Sequence, residues 1–301
     1  MLFATPLITA YSYALTFVIG LCVGSFVNCM ALRLIQEGAT LTGRSHCPSC
    51  GHELGLLDLI PVLSWLFLRG RCRYCCAHIS VRYLLVELAC AAGFCSILTV
   101  YDITLEAAQL MVLFAVLVCV TLTDIDAMVI PNGALLVAVL ARAGYLGALV
   151  AMGPGGMVCA NANVDPVSVV TNSLISAVAV GAAMLVIVLV MDRVLGRPSM
   201  GGGDLKLFAV AALYVGWQVS LFLIIVACLI GLVMGLIVTY GTGKDIDDEQ
   251  FCPDRPASAA AKSDDDDVPE RSFSFGPAIA VATWIALLAG QSFLQFYLSL
   301  M

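Results

Sequence analysis

Long apolar runs alternate with short polar stretches along this chain. A membrane-crossing helix needs about 20 predominantly apolar residues, and runs of that order recur. They lie near 8–32, 82–101, 106–123, 131–151, 168–192, 205–217, 219–241 and 275–298, which predicts about eight transmembrane segments. The sixth is short, as if half-buried within a bundle. An even number of spans would put both termini on one side.

Composition supports the reading. Of the 301 residues 61% are hydrophobic and mean hydropathy is +1.01, whereas soluble domains average about 45–50% apolar. The net charge of −7 comes largely from one polar segment that contains Asp264–Asp267, so it argues for no charged partner. No basic stripe or known motif points to nucleic acid. Met1–Leu32 has no positive residue before Arg33, which argues against a cleavable signal peptide.

Lysine and arginine orient the chain. Arg33, Arg44, Arg69, Arg71, Arg73 and Arg82 flank or occupy the first loop. Arg193, Arg197 and Lys206 flank a glycine run, and Lys244, Arg255, Lys262 and Arg271 lie in a late loop. With eight alternating spans, all these loops share one face, which is expected to be cytoplasmic, with both termini periplasmic. Arg142 falls inside the fourth span and is expected to snorkel or pair. Thr242–Ser272 is polar, without apolar periodicity, and reads as a disordered cytoplasmic insert. The expected divisions are a first span (1–32), a cytoplasmic loop (33–81), a membrane core (82–241), the insert (242–274) and a last span (275–301).

Ten of the 13 cysteines fall into two groups. Cys22, Cys29, Cys90, Cys95, Cys119 and Cys228 lie in apolar spans, where a thiol behaves as a small hydrophobe. Cys47-x2-Cys50 and Cys72-x2-Cys75 form two hooks in the first loop, with 21 residues between them. Two such hooks can set four thiolates tetrahedrally around Zn²⁺, and a reducing compartment disfavours disulfides. Cys76 leaves the fourth ligand slightly ambiguous, and His46, His52 and His78 are alternative ligands. A closed four-thiolate site has no open position, so its zinc would be structural. The expected fold class is therefore an all-α polytopic membrane protein with a small zinc-bound cytoplasmic loop domain.

Two aspartates stand where a carboxylate is costly. Asp124, in "TLTDIDAMVIPN", closes the third span. Asp204, in "SMGGGDLKLF", opens the sixth. Topology puts both at the cytoplasmic end of their segments and at similar depth. Alone, either could be a helix cap or a loop-edge charge, and Asp204 could N-cap its helix. Converging carboxylates cannot both ionise easily: one keeps its proton while the other activates water. That is aspartic-protease chemistry. Gly201, Gly202 and Gly203 would give an irregular backbone surface on which an extended substrate could lie. Asp126, two residues from Asp124, should face away. Lys206 reads as a headgroup anchor.

With these motifs in order, the chain resembles the type IV prepilin peptidase family over nearly its whole length. "GSFVNCMALRL" resembles the family's opening, and "CPSCGHELGLLDLIPVLSWLFLRGRCRYC" with "ISVRYLLVEL" its zinc-bearing loop. Asp124, seven residues before Pro131, matches D-x6-P-[DN], and Gly201–Asp204 matches GxGD. "FSFGPAIAVATWIALLAG" is similar to the usual last span. Leu59, Asn132 and the long Thr242–Ser272 insert depart from the pattern, and none touches the dyad.

The resemblance implies a bifunctional bacterial inner-membrane enzyme. It would remove the short basic leader of type IV prepilins or type II secretion pseudopilins at the cytoplasmic face. It would then N-methylate the new terminal residue from S-adenosylmethionine, a step associated with the first loop. Glu87 and Asp58 are candidates for the methyl-transfer site. The resemblance names no contacts to the methyl donor. Two other classes share some of these features. A peptidase-only GxGD protease of the presenilin kind would show Tyr-Asp and Pro-Ala-Leu, but Thr123 precedes Asp124 and no such tripeptide occurs. A proton-coupled transporter would favour inverted repeats with broken helices in both halves, and none is evident.

Overall fold

A computed structural model describes residues 5–35, 43–155, 157–159, 161, 163–196, 200–241 and 274–299. The polar insert Thr242–Ser272 lies outside the described residues. The described chain is helical: α1 (Pro6–Ile35), α2 (Leu63–Phe67), α3 (Val81–Tyr101), α4 (Leu105–Ala127), α5 (Asn132–Met152), α6 (Pro166–Leu195), α7 (Gly202–Val215), α8 (Trp217–Gly241) and α9 (Gly276–Ser299). Among the described residues β structure is limited to two isolated bridges in the first loop.

A helix stands at each of the eight predicted spans, but they are not equivalent. Six are long and apolar enough to cross a membrane: α1, α3, α4, α5, α6 and α8. Of the other two, α7 has 14 residues, and the apolar stretch of α9 is the shorter Gly276–Gly290. At about 1.5 Å per residue, α7 reaches only part-way through a bilayer.

Local chemistry sets the helix starts. Ser80 accepts from the Arg82 N–H to cap α3, and Thr104 accepts from the Ala107 N–H to cap α4. Asp165 caps α6, with Pro166 at the first helical position, where no intrahelical donor is lost. At the other end of α4, Met128 is left-handed (φ 53°) and Pro131 soon follows, so the helix cannot run on into α5.

Helix α4 is the hub. It packs on α1, α3, α5 and α9, while α6 packs on α7 and α8 on α9. The main core joins α4 to α9, with Leu113, Val120, Leu207, Phe208, Leu223 and Ile279 essentially inaccessible. Val27, Ala31, Val86, Cys119 and Leu122 form a second cluster of α1, α3 and α4. The α1–α3 seam is set by backbone contact. A Cβ at Gly20 would lie 2.6 Å from the Ala91 Cα, and one at Gly24 would lie 2.8 Å from the Glu87 Cα. This is the small-xxx-small approach by which membrane helices pack without help from the hydrophobic effect.

Arg142 does not snorkel. It is buried, with Nη2 donating to Ser173 Oγ at 2.7 Å and Nη1 to Gln109 Oε1 at 3.5 Å. Its guanidinium also sits 5.4 and 5.2 Å from the Tyr145 and Tyr214 ring centres. Polar and aromatic partners from α4, α5, α6 and α7 thus keep the charge inside the bundle.

Candidate functional site

One end of the bundle gathers the first loop and both aspartates. Long-range bonds define it: Arg82 at the start of α3 pairs with Asp126 at the end of α4, both N–O distances being 2.6 Å. Lys206 of α7 donates to the Asn132 Oδ1 of α5 at 2.9 Å. The Gly276 N–H of α9 donates to the Asp124 Oδ2 of α4 at 2.8 Å.

Asp124 occupies the last turn of α4 and is 5% exposed. Asp204 occupies the first turn of α7, is part-buried, and has an Oδ1 with no hydrogen-bond partner among the described residues. The two carboxylates lie within electrostatic reach, Asp124 acting on Asp204 as a like charge. Both aspartates thus stand at the same end of the bundle, Asp124 at the end of α4 and Asp204 at the start of α7. Asp126 is turned to Arg82, as its spacing from Asp124 anticipates.

The glycine run differs from expectation. Gly201 is the N-cap of α7, and Gly202 and Gly203 already belong to its first turn, none of the three having positive φ. Asp204 is thus the third helical residue and not the cap. First-turn N–H groups have no partner inside a helix in any case, so the glycines cost little there. At Gly203 the reason is space: an added Cβ would meet the Ile130 Cβ at 3.0 Å. Lys206, expected to reach lipid headgroups, is bonded instead to Asn132.

Gly276 is the site residue that sequence reasoning missed. The motif that contains it was read only as the start of a last span. The one available signal was Gly-Pro opening an apolar run, which is equally an ordinary helix start.

The first loop contains the four-cysteine cluster. The sulfurs of Cys47, Cys50, Cys72 and Cys75 lie within 4.8 Å of one another, and Cys47 and Cys75 are 3.8 Å apart. A tetrahedron with Zn–S bonds of about 2.3 Å has S···S edges of about 3.8 Å, so the residues fit zinc. Four thiols cannot all ionise unaided. Facing the backbone N–H groups of Cys50 and Ser49, the Cys47 thiol is pulled down to about 6. Cys75, despite the Ala77 N–H, is held up at about 12 by the neighbouring sulfurs of Cys72, Cys50 and Cys47.

The two hooks are the same knuckle built twice, 25 residues apart. The N–H of Cys47 donates to the His52 carbonyl at 2.9 Å, and that of Cys72 to the Ala77 carbonyl at 2.8 Å. The N–H of Gly51 returns to the Cys47 carbonyl, and that of Cys76 to the Cys72 carbonyl. The bridges His46–Glu53 and Arg71–His78 keep the same offset. Gly51 (φ 69°) and Cys76 (φ 60°) hold equivalent left-handed positions. This removes the ambiguity over Cys76: it occupies the turn position, outside the sulfur cluster. His46, His52 and His78 also lie outside it.

Asp58 and Glu87 have separate attachments. Asp58 accepts from the Gly55 N–H and the Tyr74 hydroxyl, both at 3.1 Å, and pairs with Arg73 Nε at 2.9 Å. The bond from Tyr74 raises that hydroxyl above the ordinary tyrosine range. The Tyr74 ring lies 3.6 Å from that of His52, tying one knuckle to the other. Glu87, buried in α3, accepts from the Val62 N–H at 2.7 Å. Val62 itself has positive φ (62°), so this bond pins a strained part of the loop to the membrane helix. Asn28, in the first motif, is buried, and neither polar atom of its amide has a partner among the described residues.

Fold and site together describe a polytopic helical membrane protein with two aspartates and a four-cysteine loop at one end of the bundle. Residues 18–101 match the bacterial peptidase A24 N-terminal domain, and residues 111–236 match the type IV leader peptidase family. A prepilin leader peptidase/N-methyltransferase of Myxococcus xanthus is 33% identical over 81% of this chain and 68% of its own length. One of Aeromonas hydrophila is 30% identical over 95% and 94%, and one of Bacillus subtilis 28% over 95% and 98%. No solved structure was found to match the chain. The chain belongs to the type IV leader peptidase family.

Proposed function

We propose that this chain is a bifunctional prepilin peptidase: it cleaves the leader from type IV prepilins or pseudopilins and N-methylates the residue exposed. The observation that supports the peptidase reading is that Asp124 of α4 and Asp204 of α7 lie within electrostatic reach of one another at one end of the bundle. Two nearby carboxylates share a proton more easily than they hold two charges. The ionised one takes a proton from water as its oxygen attacks the scissile carbonyl carbon. The protonated one donates to the carbonyl oxygen. As the C–N bond breaks, the proton taken from water passes to the leaving amine, so one water is consumed per bond cut.

The amine so released must be unprotonated to accept a methyl group. An α-amino group titrates near pH ~8, so only modest help is required. S-adenosylmethionine supplies the methyl group when bound. Glu87 and Asp58 are assigned positioning roles in this half-reaction, because the loop already engages both carboxylates. Cys47, Cys50, Cys72 and Cys75 hold the structural zinc that orders the loop. The first loop with α1 and α3 is the methyl-transfer unit, and α4 to α9 form the peptidase core.

The protein resides in the bacterial inner membrane, with the zinc loop and dyad at the cytoplasmic face and both termini periplasmic. Clustering of Arg33, Arg44, Arg69, Arg71, Arg73 and Arg82 in or beside the loop supports that orientation. The test is mass spectrometry of a co-expressed prepilin. Leader loss with an added methyl mass is expected. An intact leader overturns the peptidase reading, and leader loss without methylation reduces the function to peptidase alone.

A further inference from the structure

Helix α9 reaches the dyad through two residues, Phe275 and Gly276. The Phe275 carbonyl accepts the first helical bonds, from the Ala278 and Ile279 N–H groups. Gly276 is therefore the first residue inside the helix, and its N–H has no partner there. It donates to Asp124 Oδ2 at 2.8 Å. Pro277 has no N–H to compete. A Cβ on residue 276 would stand 2.6 Å from Asp124 Oδ2 and 3.0 Å from its Cγ. Since Asp124 is buried, its carboxylate has little room to step aside.

Phe275 fixes where that N–H sits. Its ring fills a slot over Gly231 of α8, where an added Cβ would come 2.2 Å from the ring edge. It also packs against Phe208 of α7, with ring centres 6.2 Å apart. Phe208 is four residues beyond Asp204 and so shares its helix face. The two residues thus touch Asp124 on one side and the helix of Asp204 on the other.

We propose that Phe275–Gly276 is a bracket that sets the geometry of the dyad, with Gly276 a positioning residue for Asp124. The proposal rests on the peptidase reading and extends it to the last helix. Hydrolysis needs both carboxylates placed around one water and one carbonyl. Small errors of placement lower the chemical step more than binding.

The test uses the full chain in detergent, with a purified prepilin that carries a short basic leader ahead of Phe. Gly276→Ala is expected to lower kcat at least 100-fold with KM within about threefold. Zinc content and methyl transfer to the same prepilin without its leader should stay within twofold of wild type. Gly231→Ala, whose added methyl would meet the Phe275 ring, should lower kcat about tenfold. Adding Phe275→Leu should return it to within threefold of Phe275→Leu alone. That rescue decides the matter if Gly276→Ala loses every activity by misfolding. Gly276→Ala with wild-type kcat, a loss confined to KM, or a Gly231→Ala defect that Phe275→Leu leaves in place each overturns the bracket. A wild type that cannot cleave the prepilin overturns the peptidase reading and the bracket with it.

Discussion

The zinc loop and the dyad share one end of the molecule but are assembled by opposite means. Each knuckle is closed by bonds between residues four and five apart, such as Gly51 to Cys47 and Cys47 to His52. The dyad depends on bonds between distant segments: Gly276 to Asp124 spans 152 positions, and Lys206 to Asn132 spans 74. The knuckles of the loop can therefore close with little outside help. The dyad exists only once α4, α7 and α9 have docked. A defect in the loop should stay local, whereas a defect in helix packing should strike catalysis.

The largest expected effect tests the dyad. Asp124→Ala and Asp204→Ala should each abolish leader removal, a loss of 1,000-fold or more within the range of lost acid–base chemistry, while zinc content is unchanged. Asp126→Asn should keep most of the activity, because Asp126 serves a partly exposed ion pair worth about 1 kcal/mol or less. Processing of a co-expressed prepilin, followed by gel shift, checks all three. Full processing by either alanine variant would refute the assignment.

Next in size is the loop. Cys47→Ser or Cys72→Ser should abolish zinc binding, since structural zinc supplies on the order of 10 kcal/mol to small folds. Methyl transfer should fall at least tenfold and leader removal less than threefold. Metal analysis with both assays would show whether the two regions separate. Equal loss of both activities would break the comparison.

A smaller effect depends on pH. The Cys47 thiol is depressed from 9.0 to about 6, so its thiolate contribution is complete above pH 9 and is lost as pH falls through about 6. Zinc must also displace the protons of the other three thiols, so zinc uptake by metal-stripped protein should decline as pH falls. A chromogenic zinc chelator would follow it, and uptake unchanged between pH 7.5 and 5 would contradict the reading. The smallest effect expected is from Cys76→Gly. It relieves a left-handed non-glycine residue, worth up to about 1 kcal/mol, so zinc retention in chelator should rise slightly. Loss of zinc would instead make Cys76 a ligand.

The same contrast decides what could be read from the chain. Apolar run length located a helix at each expected span, though it missed the short α2, and CxxC spacing located the four-cysteine cluster, because both are local properties. Asp124 and Asp204 could be paired because their order and depth limit where they meet. Gly276 could not be found this way, since nothing near Phe275 indicates an acid 152 residues earlier. Arg142 was legible as an anomaly, but its partners come from other helices. The Gly201–Gly203 run misled, because glycine is a poor helix former in general but costs little in a first turn.

The Gly20–Gly24 seam has a further consequence. It holds α1 against α3 at backbone contact, so the loop leaves from one of two posts already joined and returns to the other. The entropy of bringing the loop's ends together is therefore met by the membrane helices, and it grows only slowly with the length inserted. The segment between Ile35 and Val81 can lengthen, shorten or acquire a new ligand set with little disturbance to the posts. What is built there is free to change while the helix bundle that carries Asp124 and Asp204 stays as it is.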